Sequence, residues 1–298
     1  MSEKPKPFGS VLTAMVTPFR DDLTVDFDKA AELAADLVAL GNDGLVINGT
    51  TGESATTTPE EKIQLLKTVR SAVGGNIRII AGVGTNDTYK TIENAIAAER
   101  VGVDGLLVVC PYYNKPPQEG LYQHFISVAN ATGLGIMLYD IPGRSGVAIS
   151  SETLLRLAEH PRILANKDAK GDLYQSSVVM SQSDLVYYSG EDALNLPLLS
   201  IGAVGLVSVT GHLVADRLRE MLRAFESGNH EYARTINDSL VPVTTGVMTK
   251  LGGAIMVKAA LDLLGRSGGG AVRLPYVVAD QTQREELREY LRLGGFDL

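Results

Sequence analysis

A lysine at the end of an apolar strand is the most chemically suggestive feature of this chain. The run Ile163-Leu164-Ala165-Asn166-Lys167-Asp168 reads as a strand, and alternation puts Ile163, Ala165 and Lys167 on one face. A lysine facing an apolar interior is costly to charge, so burial lowers its pKa. From an unperturbed value of ~10.4, only about one molecule in 2,500 is neutral at pH 7, whereas a pKa near ~8 leaves enough neutral amine to attack a ketone. The alternative is a lysine held in an ion pair with Asp168. Parity argues against it, because Asp168 faces the other way. Lys170, three residues on, is a rival nucleophile, but it lies past the strand end, where solvation is expected.

Other segments carry groups that suit the same chemistry. In Gly135–Tyr139 the alternation puts Tyr139 on the face of Gly135 and Met137. A buried phenol there either needs a hydrogen-bond partner or moves protons. Arg144, in Tyr139-Asp140-Ile141-Pro142-Gly143-Arg144-Ser145-Gly146, can present a two-pronged fork to a carboxylate, or can form a surface ion pair. The loop Gly49-Thr50-Thr51-Gly52-Glu53-Ser54 sets two hydroxyls beside exposed N–H groups and suits an anion, although an ordinary strand-to-helix turn has the same composition. Pro111-Tyr112-Tyr113-Asn114-Lys115-Pro116-Pro117 holds two tyrosines between prolines, either for chemistry or as an aromatic pair at a subunit contact.

The elements that must position these groups are short apolar runs alternating with helical patterns. The runs are Val11–Val16, Leu45–Asn48, Ile77–Gly82, Gly105–Cys110, Gly135–Tyr139, Ile163–Asp168, Leu185–Ser189 and Val204–Val209. Their unbroken hydrophobicity is that of strands buried on both faces. Helix starts are marked by Asp26, by Thr58-Pro59-Glu60-Glu61, by Asp87 and by Ser150 or Ser151; Gly41 and Gly102 mark stops. Eight such units predict an α/β fold, a (β/α)8 TIM barrel over 1–225. A C-terminal three-helix extension follows over 226–298, with helices at 230–246, 252–265 and 283–293, the last opened by a Thr282…Glu285 capping box. An open doubly wound sheet is the competing arrangement, but no Gly-rich dinucleotide fingerprint accompanies the strands. In a barrel the residues at the carboxyl ends of strands do the chemistry, which is where all the segments above fall.

Composition narrows the function. Twenty-seven Lys and Arg against 35 Asp and Glu give a net charge of −8 over 298 residues, with no basic stripe, so nucleic acid is not an expected partner. No apolar run approaches the ~18 residues of a membrane helix, and Met1–Phe8 lacks an apolar signal core, so no membrane association is expected and the cytoplasm is the default compartment. The single cysteine, Cys110, excludes an intrachain disulfide and reads as a small buried apolar residue; His124, His160, His212 and His230 are scattered and read as structural. No ligand cluster calls for a metal.

Four motifs in order, GTTGES, PYYNKPPQEG, YDIPGRSG and KDAKGD, make the chain resemble the pyruvate-dependent class I aldolase and lyase superfamily that includes N-acetylneuraminate lyase. Within it the chain is similar to the dihydrodipicolinate synthase (4-hydroxy-tetrahydrodipicolinate synthase) family, from about Phe8 to Leu298. The resemblance implies a lyase of lysine and diaminopimelate biosynthesis that condenses pyruvate with L-aspartate 4-semialdehyde. It implies that Lys167 forms a Schiff base with pyruvate and that no separate cofactor is used. Thr50 and Thr51 would hold the pyruvate carboxylate, with Thr50 also in a proton relay. Tyr139 would be the general acid–base residue, and Tyr113 would complete the relay from a neighbouring subunit. Arg144 would clamp the carboxylate of the second substrate, while Gly190 and Val207 would line the pyruvate pocket. A homo-oligomer follows, a homotetramer built as a dimer of dimers.

Arg144 also separates this chain from the sialic-acid lyases of the superfamily, which place an apolar residue there because their second substrate is a sugar. A different pyruvate aldolase or dehydratase, acting on a sugar acid or hydroxy-oxoglutarate, is the alternative activity, and a catalytically silent scaffold is the alternative class. Two departures stand out. Asn166 precedes the lysine where a small or apolar residue is usual, and Lys170 follows it where Ser or Thr is usual; if close, Lys170 would help depress the Lys167 pKa. Pro59, Lys62 and Lys90 replace the histidines and glutamate with which some relatives bind inhibitory lysine, so feedback by lysine is expected to be weak or absent.

Overall fold

The computed structural model describes residues 5–298; Met1–Lys4, part of the N-terminal stretch read for its lack of an apolar core, lies outside them. The barrel elements alternate in chain order: β1 (Val11–Ala14), α1 (Phe27–Ala39), β2 (Gly44–Ile47), α2 (Pro59–Val73), β3 (Arg78–Gly82), α3 (Thr88–Val101), β4 (Gly105–Val109), α4 (Gln118–Ala131) and β5 (Ile136–Asp140). Two helices follow β5, the single turn α5 (Pro142–Ser145) and α6 (Ser151–Ala158). Then come β6 (Ile163–Asp168), α7 (Leu173–Gln182), β7 (Val186–Ser189), α8 (Asn195–Ser200), β8 (Gly205–Ser208) and α9 (Gly211–Glu226). The tail adds α10 (His230–Met248), α11 (Gly253–Leu263) and α12 (Gln281–Leu293).

The eight strands close in chain order into one barrel, so the fold is the expected (β/α)8 barrel with a C-terminal helical extension. The strands are buried along nearly their whole length, which explains their continuous apolar composition. By the density of their internal contacts the residues group into two compact units. One holds the residues up to Ser10 with Arg78–Val207; the other holds Val11–Ile77 with Ser208–Leu298. The helical tail thus shares a unit with β1, β2, α1 and α2.

The helix signals act as local chemistry requires. Thr58 and Glu61 form a reciprocal capping box with Pro59 at the first helical position, Asp26 and Asp87 cap α1 and α3, and Ser150 caps α6. Gly102 ends α3 in the left-handed region at φ 83°. The last helix departs from expectation. It starts at Gln281, and its capping box is Asp280 with Gln283, each side chain hydrogen-bonded to the other's backbone N–H at 2.9 Å. Thr282 and Glu285 therefore lie inside the helix. Both pairs fit the spacing rule, but Asp280 has the extended backbone that a cap needs.

No single helix among the described residues is long and apolar enough to cross a membrane; α10 and α11 pass by composition only as a pair bent by 109°, and α11 is buried from Gly253 to Leu261. The buried histidines are committed to packing. His212 Nε2 accepts from the Val16 N–H at 3.0 Å and its Nδ1 lies 2.8 Å from the Val209 carbonyl, while burial holds His124 down to about 4 beside Thr88. Cys110, just past β4, is buried, and its thiol is pushed up to about 12.

Candidate active site

Strands β5 and β6 pair in parallel with Tyr139 opposite Lys167 and Asp140 opposite Asp168. Alternation then divides the two strand ends into two environments. On one face, Lys167 is 5% exposed and its Nζ lies 4.1 Å from the centroid of the Tyr139 ring. Burial lowers the lysine to about 8; Asp192 and Glu191 oppose that shift, and the positive charge of Arg144 reinforces it. A larger share of this amine is therefore neutral near pH 7 than for an ordinary lysine, and the group against it is a phenol ring.

Gly190 permits this arrangement. A Cβ there would sit 2.8 Å from Lys167 Cγ and 3.0 Å from both Lys167 Cε and the Asp168 carbonyl oxygen. The Gly190 N–H donates to that same carbonyl at 2.8 Å, tying the end of β7 to β6. Val207 is buried on β8, which pairs with β7. Arg144 is exposed on α5, where Pro142 sets the first helical position and Gly146 closes the turn at φ 78°. Tyr113 stands apart from the buried group: it is 88% exposed, with its N–H donating to the Ser145 carbonyl at 3.3 Å. Its φ of 76° and the φ of 45° at Lys115 put two non-glycine residues in the left-handed region, a costly backbone that marks a shaped loop.

The opposite face of β5 and β6 corrects the expectation for Lys170. Its side chain is only 15% exposed and its Nζ lies 3.4 Å from Asp140 Oδ2. The chain turns back at Gly171, φ 79°, and Asp168 Oδ1 accepts from the Lys170 and Gly171 N–H groups at 2.8 and 3.3 Å. This turn folds Lys170 over the outer face of the sheet. It is neither solvated nor among the groups that depress Lys167; Arg144 has that role. Burial lifts Asp140 to about 6, and Lys170 counters that rise. Asp168 also accepts from the Ser176 hydroxyl; Asn166, buried on the same face, leaves its Oδ1 without a hydrogen-bond partner among the described residues.

In the other unit, Thr50 and Thr51 sit in the turn after β2. Gly52 N–H donates to the Gly49 carbonyl and Glu53 N–H to the Thr50 carbonyl, both at 3.1 Å. Thr17 Oγ1 donates to the Gly52 carbonyl at 2.7 Å, and a Cβ on Gly52 would press 3.0 Å from the Met15 carbonyl oxygen, so the second glycine is required by close packing. Thr51 is buried and Thr50 half-buried.

Sequence reasoning missed Glu191 and Asp192 as charges acting on Lys167. The signal was a pair of acids directly after the β7 end, in the motif that supplied Gly190. It also missed Asp140, adjacent to Tyr139 but on the opposite face.

Comparison with known proteins points one way. Residues 7–293 match the Dihydrodipicolinate synthetase family. The chain is 56% identical over 292 residues to the 4-hydroxy-tetrahydrodipicolinate synthase 2 of Streptomyces coelicolor, spanning 98% of this chain and 97% of that one. It superposes with a TM-score of 0.94 on the crystal structure of DHDPS from Cyanidioschyzon merolae with lysine bound, at 41% identity, covering 98% of this chain and 99% of that one. It also superposes, with a TM-score of 0.92 at 35% identity and 97% and 99% coverage, on the chloride-inhibited dihydrodipicolinate synthase of Acinetobacter baumannii complexed with pyruvate.

Proposed function

The chain belongs to the dihydrodipicolinate synthetase family, and on that premise we propose how its residues condense pyruvate with L-aspartate 4-semialdehyde to 4-hydroxy-tetrahydrodipicolinate. The observation that carries the proposal is the buried Lys167 amine, lowered to about 8 and set against Tyr139. Neutral Lys167 adds to the pyruvate ketone, the carbinol oxygen takes up a proton relayed by Tyr139 and leaves as water, and a protonated imine forms. This cation draws electrons from the pyruvate methyl group, which loses a proton to give the enamine. The enamine carbon attacks the aldehyde, and the oxygen formed there takes up a proton. The amino group of the second substrate then displaces Lys167 and closes the ring.

Protons must be passed among groups shielded from water. Tyr139 touches the amine and serves as the general acid–base residue, with Thr50 and Tyr113 in the relay. Thr50 and Thr51 hold the pyruvate carboxylate by hydroxyls on a tightly packed turn. Gly190 and Val207 line the pyruvate pocket. Arg144, exposed beyond β5, receives the carboxylate of the aldehyde by its planar fork, which disfavours neutral sugar substrates. Pyruvate remains covalently attached until displacement, so the reading uses no separate cofactor.

Tyr113 supports an assembly of at least two chains. A tyrosine 88% exposed on a constrained loop has the placement of a group lent to a neighbour's site, and a homotetramer as a dimer of dimers accommodates that exchange. Lys90 supports weak lysine feedback: it pairs with Glu93 at 3.0 Å yet remains 47% exposed and puts positive charge where an acid would attract the ammonium of lysine. Strong inhibition by millimolar lysine would overturn that last point.

Borohydride reduction in the presence of pyruvate tests the central claim. A pyruvate-sized adduct mapped to Lys167 is expected; an unmodified Lys167, or an adduct elsewhere, would overturn the assignment.

A further inference from the structure

The helical tail reaches the Thr50–Thr51 turn through the Lys258 ammonium and the Arg273 backbone. Glu53 ends that turn, 3% exposed, with φ at 55°. Its Oε1 accepts from Lys258 Nζ at 2.6 Å and its Oε2 from the Arg273 backbone N–H at 2.9 Å. Lys258, on α11, is fully buried; its Nζ also donates to the Ala271 carbonyl at 2.7 Å and lies 4.3 Å from the Phe19 ring centroid. The Arg273 guanidinium stacks 4.4 Å from the same ring. It donates to the Thr56 carbonyl at 2.8 Å and to both Glu61 carboxylate oxygens at 2.8 and 2.6 Å. The segment from Glu53 to Glu61 is thus held at three points by residues more than two hundred positions later.

Simple stability does not explain this choice of residues. A buried ion pair often returns no more than it costs in desolvation, and well-packed apolar side chains can do as well. Directed bonds do what apolar packing cannot: they fix one orientation. The Glu53 carboxylate is held by two donors from two directions, and the Glu53 N–H in turn bonds the Thr50 carbonyl at 3.1 Å. A left-handed φ at a glutamate persists only where its surroundings over-determine it.

We propose that Glu53, Lys258 and Arg273 are positioning residues through which the C-terminal extension sets the Thr50 and Thr51 hydroxyls for the pyruvate carboxylate. This rests on the assignment of Thr50 and Thr51 made above. None of the three need touch substrate, and their loss acts on pyruvate and not on the aldehyde.

The test is steady-state kinetics on the full chain carrying Glu53→Gln and Lys258→Met together, which removes both buried charges at once. At least a tenfold rise in the pyruvate KM is expected. The semialdehyde KM should stay within about twofold, and the Lys167 adduct should still form at saturating pyruvate. Arg273→Lys, which keeps a cation but loses the fork, supplies a second reading if the double variant does not fold, with a three- to tenfold rise expected. A pyruvate KM within twofold of the parent in a folded variant, or parallel rises in both KM values, overturns the proposal. Failure of the unaltered chain to form the adduct would instead overturn the Schiff-base reading itself.

Discussion

Tyr139 and Lys167 are register partners on adjacent parallel strands, and the lysine Nζ lies 4.1 Å from the centre of the tyrosine ring. The ring face favours the charged amine, as do Asp192 and Glu191. Burial works against all three and wins, leaving the amine near 8. At that value roughly one amine in ten is neutral at pH 7, against about one in 2,500 for an unperturbed lysine. Burial raises the neutral fraction of the amine, and in the proposed mechanism the neighbouring phenol is the group that moves protons.

Lys167→Met abolishes adduct formation and stabilises the fold at neutral pH. Because the native amine has a lowered pKa, the unfolded chain binds the extra proton, and the cost is fully present below pH 8. That cost shrinks as pH rises through the window from 8 to 10.5. The gap corresponds to about 3 kcal/mol at most. Denaturant melts at pH 7 and pH 10.5 check this: the variant's advantage is expected at the first and absent at the second. In the parent, the rate of adduct formation should rise with a midpoint near pH 8.

Arg144→Ala separates the two substrates. Losing a charge-assisted fork costs about 2–3 kcal/mol, so kcat/KM for the semialdehyde should fall roughly 30- to 150-fold, while pyruvate still forms the adduct. Removing the positive charge also lets the Lys167 pKa rise, because Arg144 lowers it. The adduct-rate profile should therefore move to higher pH. An equal loss for both substrates would contradict the clamp.

Gly190→Ala tests whether the lysine needs the space it occupies. The new methyl group would meet Lys167 Cγ at 2.8 Å and the Asp168 carbonyl oxygen at 3.0 Å. The backbone oxygen cannot yield without disturbing β6, so Lys167 must move. A stability loss of about 1–3 kcal/mol is expected from the overpacking, together with at least a tenfold fall in the rate of pyruvate trapping. Trapping at the parental rate would place the reactive amine elsewhere.

Lys170→Ser, which substitutes one of the residues usual in the family, should destabilise the protein in a pH-dependent way. Asp140 has a raised pKa, about 6 against an ordinary 3.8, so its carboxylate costs stability above pH 6 and the cost disappears as pH falls toward 4. Lys170 offsets part of that cost. Its removal leaves the buried carboxylate without its counter-ion, a loss of ~2 kcal/mol at pH 8 after discounting for the partial exposure of the lysine, and little at pH 4. Adding Asp140→Asn should recover most of the difference; thermal melts of the single and double variants at the two pH values make the comparison.

Much of this molecule was determined by sequence alone. Continuous apolar runs mark strands that water never reaches, and strand alternation put Tyr139 and Lys167 on one face and Asp168 on the other. Caps such as Thr58 with Glu61 are set by residues three apart. These signals are legible because each rests on a period or bond within a few residues. Tertiary structure decided the rest. The capping box of the last helix went to Asp280 and Gln283 because only there is the backbone extended. Lys170 left solvent because the turn at Gly171 folds it onto Asp140, thirty residues earlier in the chain. Lys258 found Glu53 across 205 residues. Long-range ion pairs have no period and no local signature; their partners are chosen by where closure of the barrel and docking of the tail bring opposite charges out of water together.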